Sequence, residues 1–326
     1  MSEVRPATTG PTPTEAAEMV GAVVDEVAKA VVGKRSAIEL VMAGLLADGH
    51  VLLDDVPGVA KTLTARSIAT AAGLSFSRVQ FTPDLLPADI TGSTVLDLTT
   101  REPRFRPGPI FASLVLADEI NRAPAKTQSA LLEAMQERQT TADGVAHALP
   151  TPFLVIATQN PIESEGTYPL PEAQLDRFIL RTSIGLPERS DEVEIVRRRL
   201  ERGVDDVDLD AVLEAGQFRQ VQRSIERVEV DAVIMAYVVD LVRATRAANE
   251  LAVGASPRGS LSVVKLARSR AVIAGRDFVT PDDVKEVAVV GLAHRVVLTP
   301  EAWARRVDPV AVVETAVQTV AAPSWQ

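Results

Sequence analysis

His50-Val51-Leu52-Leu53-Asp54-Asp55-Val56-Pro57-Gly58-Val59-Ala60-Lys61-Thr62 is the stretch on which the fold turns. It reads as a short apolar strand, a tight turn, and a Lys-Thr pair opening a helix that continues through Leu63, Ala65, Ile68 and Ala72. That is the layout of a phosphate-binding loop, in which backbone N–H groups and the positive end of a helix cradle an anion. In such a loop Lys61 reaches the β- and γ-phosphates and the Thr62 hydroxyl holds Mg²⁺. The usual pattern, G-x-x-x-x-G-K-[ST], is met only in part: Asp55 and Ala60 stand at the two glycine positions, and Gly58 alone remains within the loop. Taken alone, the stretch reads equally as a strand-turn-helix corner with a solvated lysine.

The segments that follow decide between the two. Leu114-Val115-Leu116-Ala117 and Phe153-Leu154-Val155-Ile156-Ala157 are continuous apolar runs, as expected of strands buried on both faces of a parallel sheet. The first ends in Asp118-Glu119 and the second in Thr158-Gln159-Asn160. A sheet of alternating strands and helices binds ligands at the carboxyl ends of its strands, where the Lys61 loop, Asp118-Glu119 and Asn160 all fall. Phosphoanhydride hydrolysis needs a held metal, an oriented water and charge stabilisation. Asp118 is placed to hold Mg²⁺ through water, and Glu119 is the natural general base.

Two hairpins interrupt the pattern: Ser93 to Leu98 with its return at Arg104 to Arg106, and Gln139-Thr141 with Val145-Leu149 around Asp143-Gly144. Upstream, helices are expected over Ala16 to Val32 and Ser36 to Ala47. From about Pro187 the strand signals fade, and helices are expected over Asp191 to Leu200, Asp208 to Gly216, Asp231 to Ala248, Pro257 to Ala274 and Pro281 to Arg295. Ser256-Pro257 and Thr280-Pro281 each set a capping hydroxyl before a proline at the first helical position. The expected organisation is therefore a disordered tail over 1–15, an α/β domain over 16–186 with two inserted hairpins, and a smaller all-α domain over 187–326.

The chain of 326 residues is 46% apolar, enough for more than one core, since single cores stop growing at roughly 250–300 residues. It has no cysteine, which excludes thiol nucleophiles and disulfides, and its three histidines lack ligand spacing. The net charge of −10 argues against a general nucleic-acid binder. Arg197-Arg198-Arg199 lies among glutamates and reads as a solvated helix face. No apolar run approaches the roughly 18–20 residues of a membrane span, and the Pro-, Thr- and Gly-rich residues Ser2 to Thr14 lack an apolar signal core, so a cytoplasmic protein is expected.

Five segments taken together resemble the MoxR family of AAA+ ATPases: Val56 to Thr62, Asp118-Glu119-Ile120-Asn121-Arg122-Ala123, Ala157-Thr158-Gln159-Asn160-Pro161, Leu175-Asp176-Arg177-Phe178 and Gly254-Ala255-Ser256-Pro257-Arg258. The resemblance spans about Ala16 to Val297. It implies an AAA+ core with a helical lid, binding ATP with Mg²⁺ through Pro57, Gly58, Val59, Ala60, Lys61, Thr62 and Leu63, with Gly33 bordering the adenine. It further implies Thr62 and Asp118 toward the metal, Glu119 and Asn160 (sensor 1) toward the attacking water, Arg177 as the arginine finger of a neighbouring subunit, and Arg258 as sensor 2. A surface ion pair with Asp176, Glu172 or another carboxylate is the structural alternative for Arg177. The hairpins resemble the helix-2 insert and the hairpin before sensor 1. The resemblance implies a ring, a hexamer as in related proteins, acting chaperone-like on a client with a von Willebrand factor A domain. Alternatives are a slow nucleotide-dependent binding module, for which Asp55 beside the phosphates is the suspicious feature, and a DNA-associated motor. The acidic balance and the lack of a Gly-Ala-Phe-Thr-Gly-Ala loop weigh against the motor.

Overall fold

The computed structural model describes residues 10–161, 167–214 and 216–323. The chain opens with α1 (Pro13–Ala30), α2 (Arg35–Leu46), β1 (His50–Asp54), α3 (Lys61–Ala71), β2 (Phe76–Gln80) and α4 (Pro87–Thr91). It continues through β3 (Gly92–Leu96), β4 (Pro103–Pro107), β5 (Leu114–Asp118), α5 (Ala125–Glu137), β6 (Gln139–Ala142), β7 (Val145–Ala148), β8 (Leu154–Gln159), α6 (Glu172–Leu175), β9 (Phe178–Thr182) and α7 (Arg189–Arg202). The remainder is α8 (Gln217–Ser224), α9 (Ala232–Ala247), β10 (Leu251–Val253), α10 (Pro257–Ile273), α11 (Pro281–Leu292), β11 (Val297–Leu298), α12 (Pro300–Ala304) and α13 (Pro309–Thr319).

Two compact units result. One comprises Val24–Val41 and Asp48–Ala211; the other comprises the chain up to Val23, Met42–Ala47 and Val212 onward, so α1 and α2 contribute to both. The first unit holds a five-stranded sheet in the order β2-β5-β8-β1-β9, every pairing parallel. Its central strands carry the apolar runs because both faces are covered: Leu114 to Ala117 and Leu154 to Ala157 are fully buried. A core of Leu52, Phe81, Ile90, Val115, Leu131, Met135, Phe153 and Phe178 fills one side of the sheet. The hairpins form as expected, β3 with β4 and β6 with β7, and they are joined by Phe105, whose ring stacks on His147 at 3.7 Å between centroids.

The second unit is helical apart from the antiparallel pair β10-β11. Its helix starts follow the capping chemistry. The Ser256 hydroxyl accepts from Arg258 N at 3.3 Å, and Asp231 caps α9 by accepting from Val233 N at 2.7 Å. Thr280 and Asp283 make a reciprocal box, with Asp283 N donating to Thr280 Oγ1 and Thr280 N to Asp283 Oδ2.

Several boundaries differ from the sequence reading. The helix expected over Asp208 to Gly216 is not formed among the described residues; the segment 208–214 is irregular. Its backbone is committed elsewhere, since Asp210 N donates to buried Glu26 at 2.9 Å and Leu213 is buried. α1 begins at Pro13 rather than after residue 15, because Thr12 and Glu15 cap each other: Thr12 N donates to Glu15 Oε2 at 2.7 Å and Glu15 N to Thr12 Oγ1 at 3.3 Å. Residues 1–9 of the expected tail lie outside the described residues. Strand β9 was not anticipated; it pairs with β1 and closes the sheet on that side. The helical region begins with α7 just after Pro187, yet α7 groups with the sheet unit, whose limit falls at Ala211. No helix among the described residues is long and apolar enough to cross a membrane.

Candidate functional site

The parallel register brings the carboxyl ends of β1, β5 and β8 to one edge of the sheet. β1 delivers the loop from Asp55 to Ala60. Gly58 adopts φ +86°, with nothing within 4 Å of where a Cβ would be, so glycine is required there by the backbone rather than by crowding. Ala60, at the second glycine position of the motif, takes φ 61° and ψ 27°, a left-handed conformation that costs an alanine about 1 kcal/mol. The loop then enters α3, with Lys61 and Thr62 in its first turn. Lys61 Nζ donates to Asp55 O at 2.5 Å and to Gln159 O at 3.2 Å, so the ammonium bridges the ends of β1 and β8. Pro57 and Gly58 are exposed, Val59 is buried, and Leu63 is exposed.

Asp55, which replaces the first glycine of the motif, is buried and turned away from the loop. Its Oδ2 accepts from Ile184 N at 2.6 Å and Gly185 N at 2.8 Å, beyond β9, while Oδ1 accepts from Val56 N at 3.1 Å. The carboxylate is thus spent on tying the loop to the end of β9.

At the end of β5, Asp118 Oδ2 accepts from Thr62 Oγ1 at 3.2 Å, and Oδ1 accepts from Thr158 Oγ1 at 2.7 Å. Glu119 has φ 56° and ψ 50°, so the chain turns sharply at this residue, and its N donates to the same Thr158 hydroxyl at 2.8 Å. Glu119 Oε2 accepts from Gln80 Nε2 at 2.8 Å and Arg122 Nη1 at 3.0 Å. Asn160, one residue past β8, is buried, and its carbonyl accepts from Asn121 Nδ2 at 3.5 Å. Lys61, Thr62, Asp118, Glu119 and Asn160 therefore gather at one edge of one sheet.

The remaining expected residues are carried by other elements. Arg177 precedes β9 and so stands at the amino end of the parallel strands, the opposite edge, and a strand of five residues spans about 16 Å. It folds back on α5, donating to Leu132 O at 3.2 Å and to the Gln136 side chain; the ion pair with Asp176 or Glu172 is not formed. Gly33 follows α1 at φ +72°, and a Cβ there would lie 2.0 Å from Asp191 Oδ2. Arg258 belongs to the other unit, at the second position of α10, and is exposed. Sequence reasoning missed Arg78, Gln80, Arg122 and Thr158. Arg78 and Gln80 occupy one face of β2, and the pairing of Gln80 with Asp118 is what brings them to the site.

The donor set suits Mg²⁺, which takes one or two protein oxygens and completes its octahedron with phosphate and water. Thr62 and Asp118 supply such oxygens side by side. Among the described residues, no group of three or more His, Cys, Asp or Glu is placed to hold a metal.

Residues 50–180 match the ATPase family associated with various cellular activities (AAA), and residues 243–316 match the AAA lid domain. The chain is 46% identical over 307 residues to Chaperone MoxR1 of Mycobacterium tuberculosis, covering 91% of this chain and 81% of that one. It is 34% identical over 329 residues to Protein MoxR of Methylorubrum extorquens, covering 91% and 93%. The chain belongs to the MoxR family of AAA+ ATPases. A relative of unassigned role, YeaC of Bacillus subtilis, is 45% identical over 305 residues, covering 94% and 95%. The crystal structure of a candidate ATPase from Cytophaga hutchinsonii superposes with a TM-score of 0.88 at 37% identity, covering 96% and 97%. The AAA+ fold expected from the motifs, with its helical lid domain, is thereby established.

Proposed function

We propose that this MoxR-family protein binds and hydrolyses Mg-ATP in the cytoplasm as a ring, of six subunits in the simplest reading, and uses the cycle to remodel a client protein in the manner of a chaperone. The observation that carries this reading is the gathering of Lys61, Thr62, Asp118, Glu119 and Asn160 at one sheet edge, with Arg177 at the other.

The loop N–H groups from Pro57's successor Gly58 through Thr62 cradle the phosphates at the start of α3, and Lys61 exchanges its carbonyl partners for phosphate oxygens. Thr62 and Asp118 would hold Mg²⁺, and the ion would supply neutralisation of the phosphate charge. Glu119, whose backbone is anchored on Thr158, takes the proton of the attacking water, and Asn160 orients that water. Arg177 stands too far along its own strands to serve this site, which favours action on the nucleotide of the next subunit. Gly33 borders the base, and Arg258 contacts the phosphates from the lid. A client carrying a von Willebrand factor A domain is the partner class that the family resemblance suggests. Asp55 is buried with both carboxylate oxygens on backbone N–H groups, which weighs against the slow binding module.

The test is phosphate release from Mg-ATP across a protein concentration series, with Lys61→Ala and Glu119→Gln alongside. A turnover per subunit that rises with concentration, with binding lost in Lys61→Ala and kept without turnover in Glu119→Gln, is expected. Full turnover in Glu119→Gln would remove it as the base, and ATP affinity retained in Lys61→Ala would refute the loop assignment.

A further inference from the structure

Asp118 carries more than the metal assignment requires. Arg78 Nε and Nη2 lie 3.0 and 2.8 Å from Asp118 Oδ2, the oxygen that also accepts from Thr62. With Thr158 on Oδ1, four donor atoms converge on one carboxylate, which offers about four lone-pair sites. A metal-bound water is a further donor, so one of the present donors has to leave when it arrives. Thr158 is fully buried and pinned by Glu119 N. The Thr62 hydroxyl has two lone pairs and can face the ion with one of them while still donating its hydrogen to Asp118. Arg78 is the donor with somewhere to go: its side chain is 48% exposed, against 9% for Asp118.

Arg78 is also tied to the catalytic side. Its Nη2 donates to Gln80 Oε1 at 2.5 Å, and Gln80 Nε2 donates in turn to Glu119 Oε2 at 2.8 Å. Because Arg78 and Gln80 are two residues apart on β2, both side chains project from the same face toward the end of β5. A continuous line of hydrogen bonds therefore runs Thr62, Asp118, Arg78, Gln80, Glu119, Arg122.

We propose that Arg78 is a tethered counter-cation, which occupies Asp118 in competition with the metal. Arg78 is a positioning residue in this scheme: it neutralises Asp118 until the ion comes. The proposal rests on the reading of the site as one for Mg-nucleotide. Its sign is opposite to that of a merely supportive residue. Loss of a structural prop weakens metal binding, whereas loss of a competing cation tightens it. A half-exposed ion pair of this kind is screened and worth little, so the expected gain is about three- to fivefold.

The experiment is titration of Mn²⁺ into the intact protein with ADP, read by the Mn²⁺ electron paramagnetic resonance signal, on wild type, Arg78→Gln and Arg78→Lys. ADP affinity without metal is measured in parallel, and thermal unfolding reports whether each variant folds. Arg78→Gln is expected to bind Mn²⁺ about three- to fivefold more tightly, and Arg78→Lys, which keeps the charge but loses the two-nitrogen contact, to tighten by a smaller factor. If Arg78→Gln does not fold, the lysine variant carries the same sign test. Unchanged or weaker Mn²⁺ affinity with ADP binding intact overturns the role of Arg78 and leaves the nucleotide reading standing. Failure of wild type to bind ADP or Mn²⁺ refutes that reading, and the proposal falls with it.

Discussion

Acidification to pH 5 is expected to weaken the sheet unit through one residue, His50. The ring opens β1 and is fully enclosed: Val155 N donates to its Nδ1 at 3.0 Å, and Nε2 faces Met135 O at 3.2 Å. These partners suit the neutral ring with its proton on Nε2. Burial, reinforced by the positive charge of Arg138 and only partly opposed by the hydrogen bond to Met135, brings its pKa from 6.5 down to about 3. Between those values the unfolded chain takes up a proton that the folded chain refuses. Stability is therefore complete above pH 6.5 and falls as the pH drops, at up to about 1.4 kcal/mol per unit. From pH 7 to pH 5 the loss from this one group is about 2 kcal/mol. The assay is urea unfolding of wild type and His50→Gln at both pH values, followed by a probe in the sheet unit. The variant is less stable at pH 7, but wild type should lose about 2 kcal/mol more than the variant on acidification. Equal losses in the two chains would refute the assignment of a buried neutral His50.

Other expectations can be checked as directly. Asp55→Ala leaves the Ile184 and Gly185 N–H groups without their acceptor and should destabilise the sheet unit by about 2–3 kcal/mol in chemical denaturation; an effect under half that would mean the carboxylate is not what ties the loop to β9. Ala60→Gly relieves the left-handed alanine and, after the greater chain entropy of glycine, should stabilise by roughly 0.5 kcal/mol, whereas a loss would show that the methyl group packs usefully. Arg177→Ala should keep ATP binding and reduce turnover by roughly 10³-fold if it acts across a subunit boundary; an unaffected rate would confine it to its contacts with α5.

Much of the site could be read along the chain because its parts are local. A loop between an apolar strand and a helix, and polar residues directly after apolar runs, are patterns of neighbouring residues, so Lys61, Thr62, Asp118, Glu119 and Asn160 could be named without coordinates. The capped helices α10 and α11 were legible for the same reason: Ser256 and Thr280 act on N–H groups two or three residues away.

What escaped depends on partners distant in the chain. Asp208 to Gly216 has helical composition, but Glu26 claims the Asp210 N–H, and a long-range hydrogen bond outweighs weak propensity. β9 was hidden because Phe178 to Thr182 becomes a strand only when β1 supplies the ladder. Asp55 looked like a liability beside phosphate until the end of β9 came within reach of its carboxylate. Arg78 and Gln80 were unremarkable residues of a short strand until the register of β2 on β5 set them against Asp118 and Glu119. The family and the residues whose chemistry is carried by adjacent backbone can be read from the order of amino acids alone. Which side chains those groups meet, and that Arg177 lies at the far edge of the sheet, come from the folded chain, because pairing across a sheet is set by long-range packing and not by neighbouring residues.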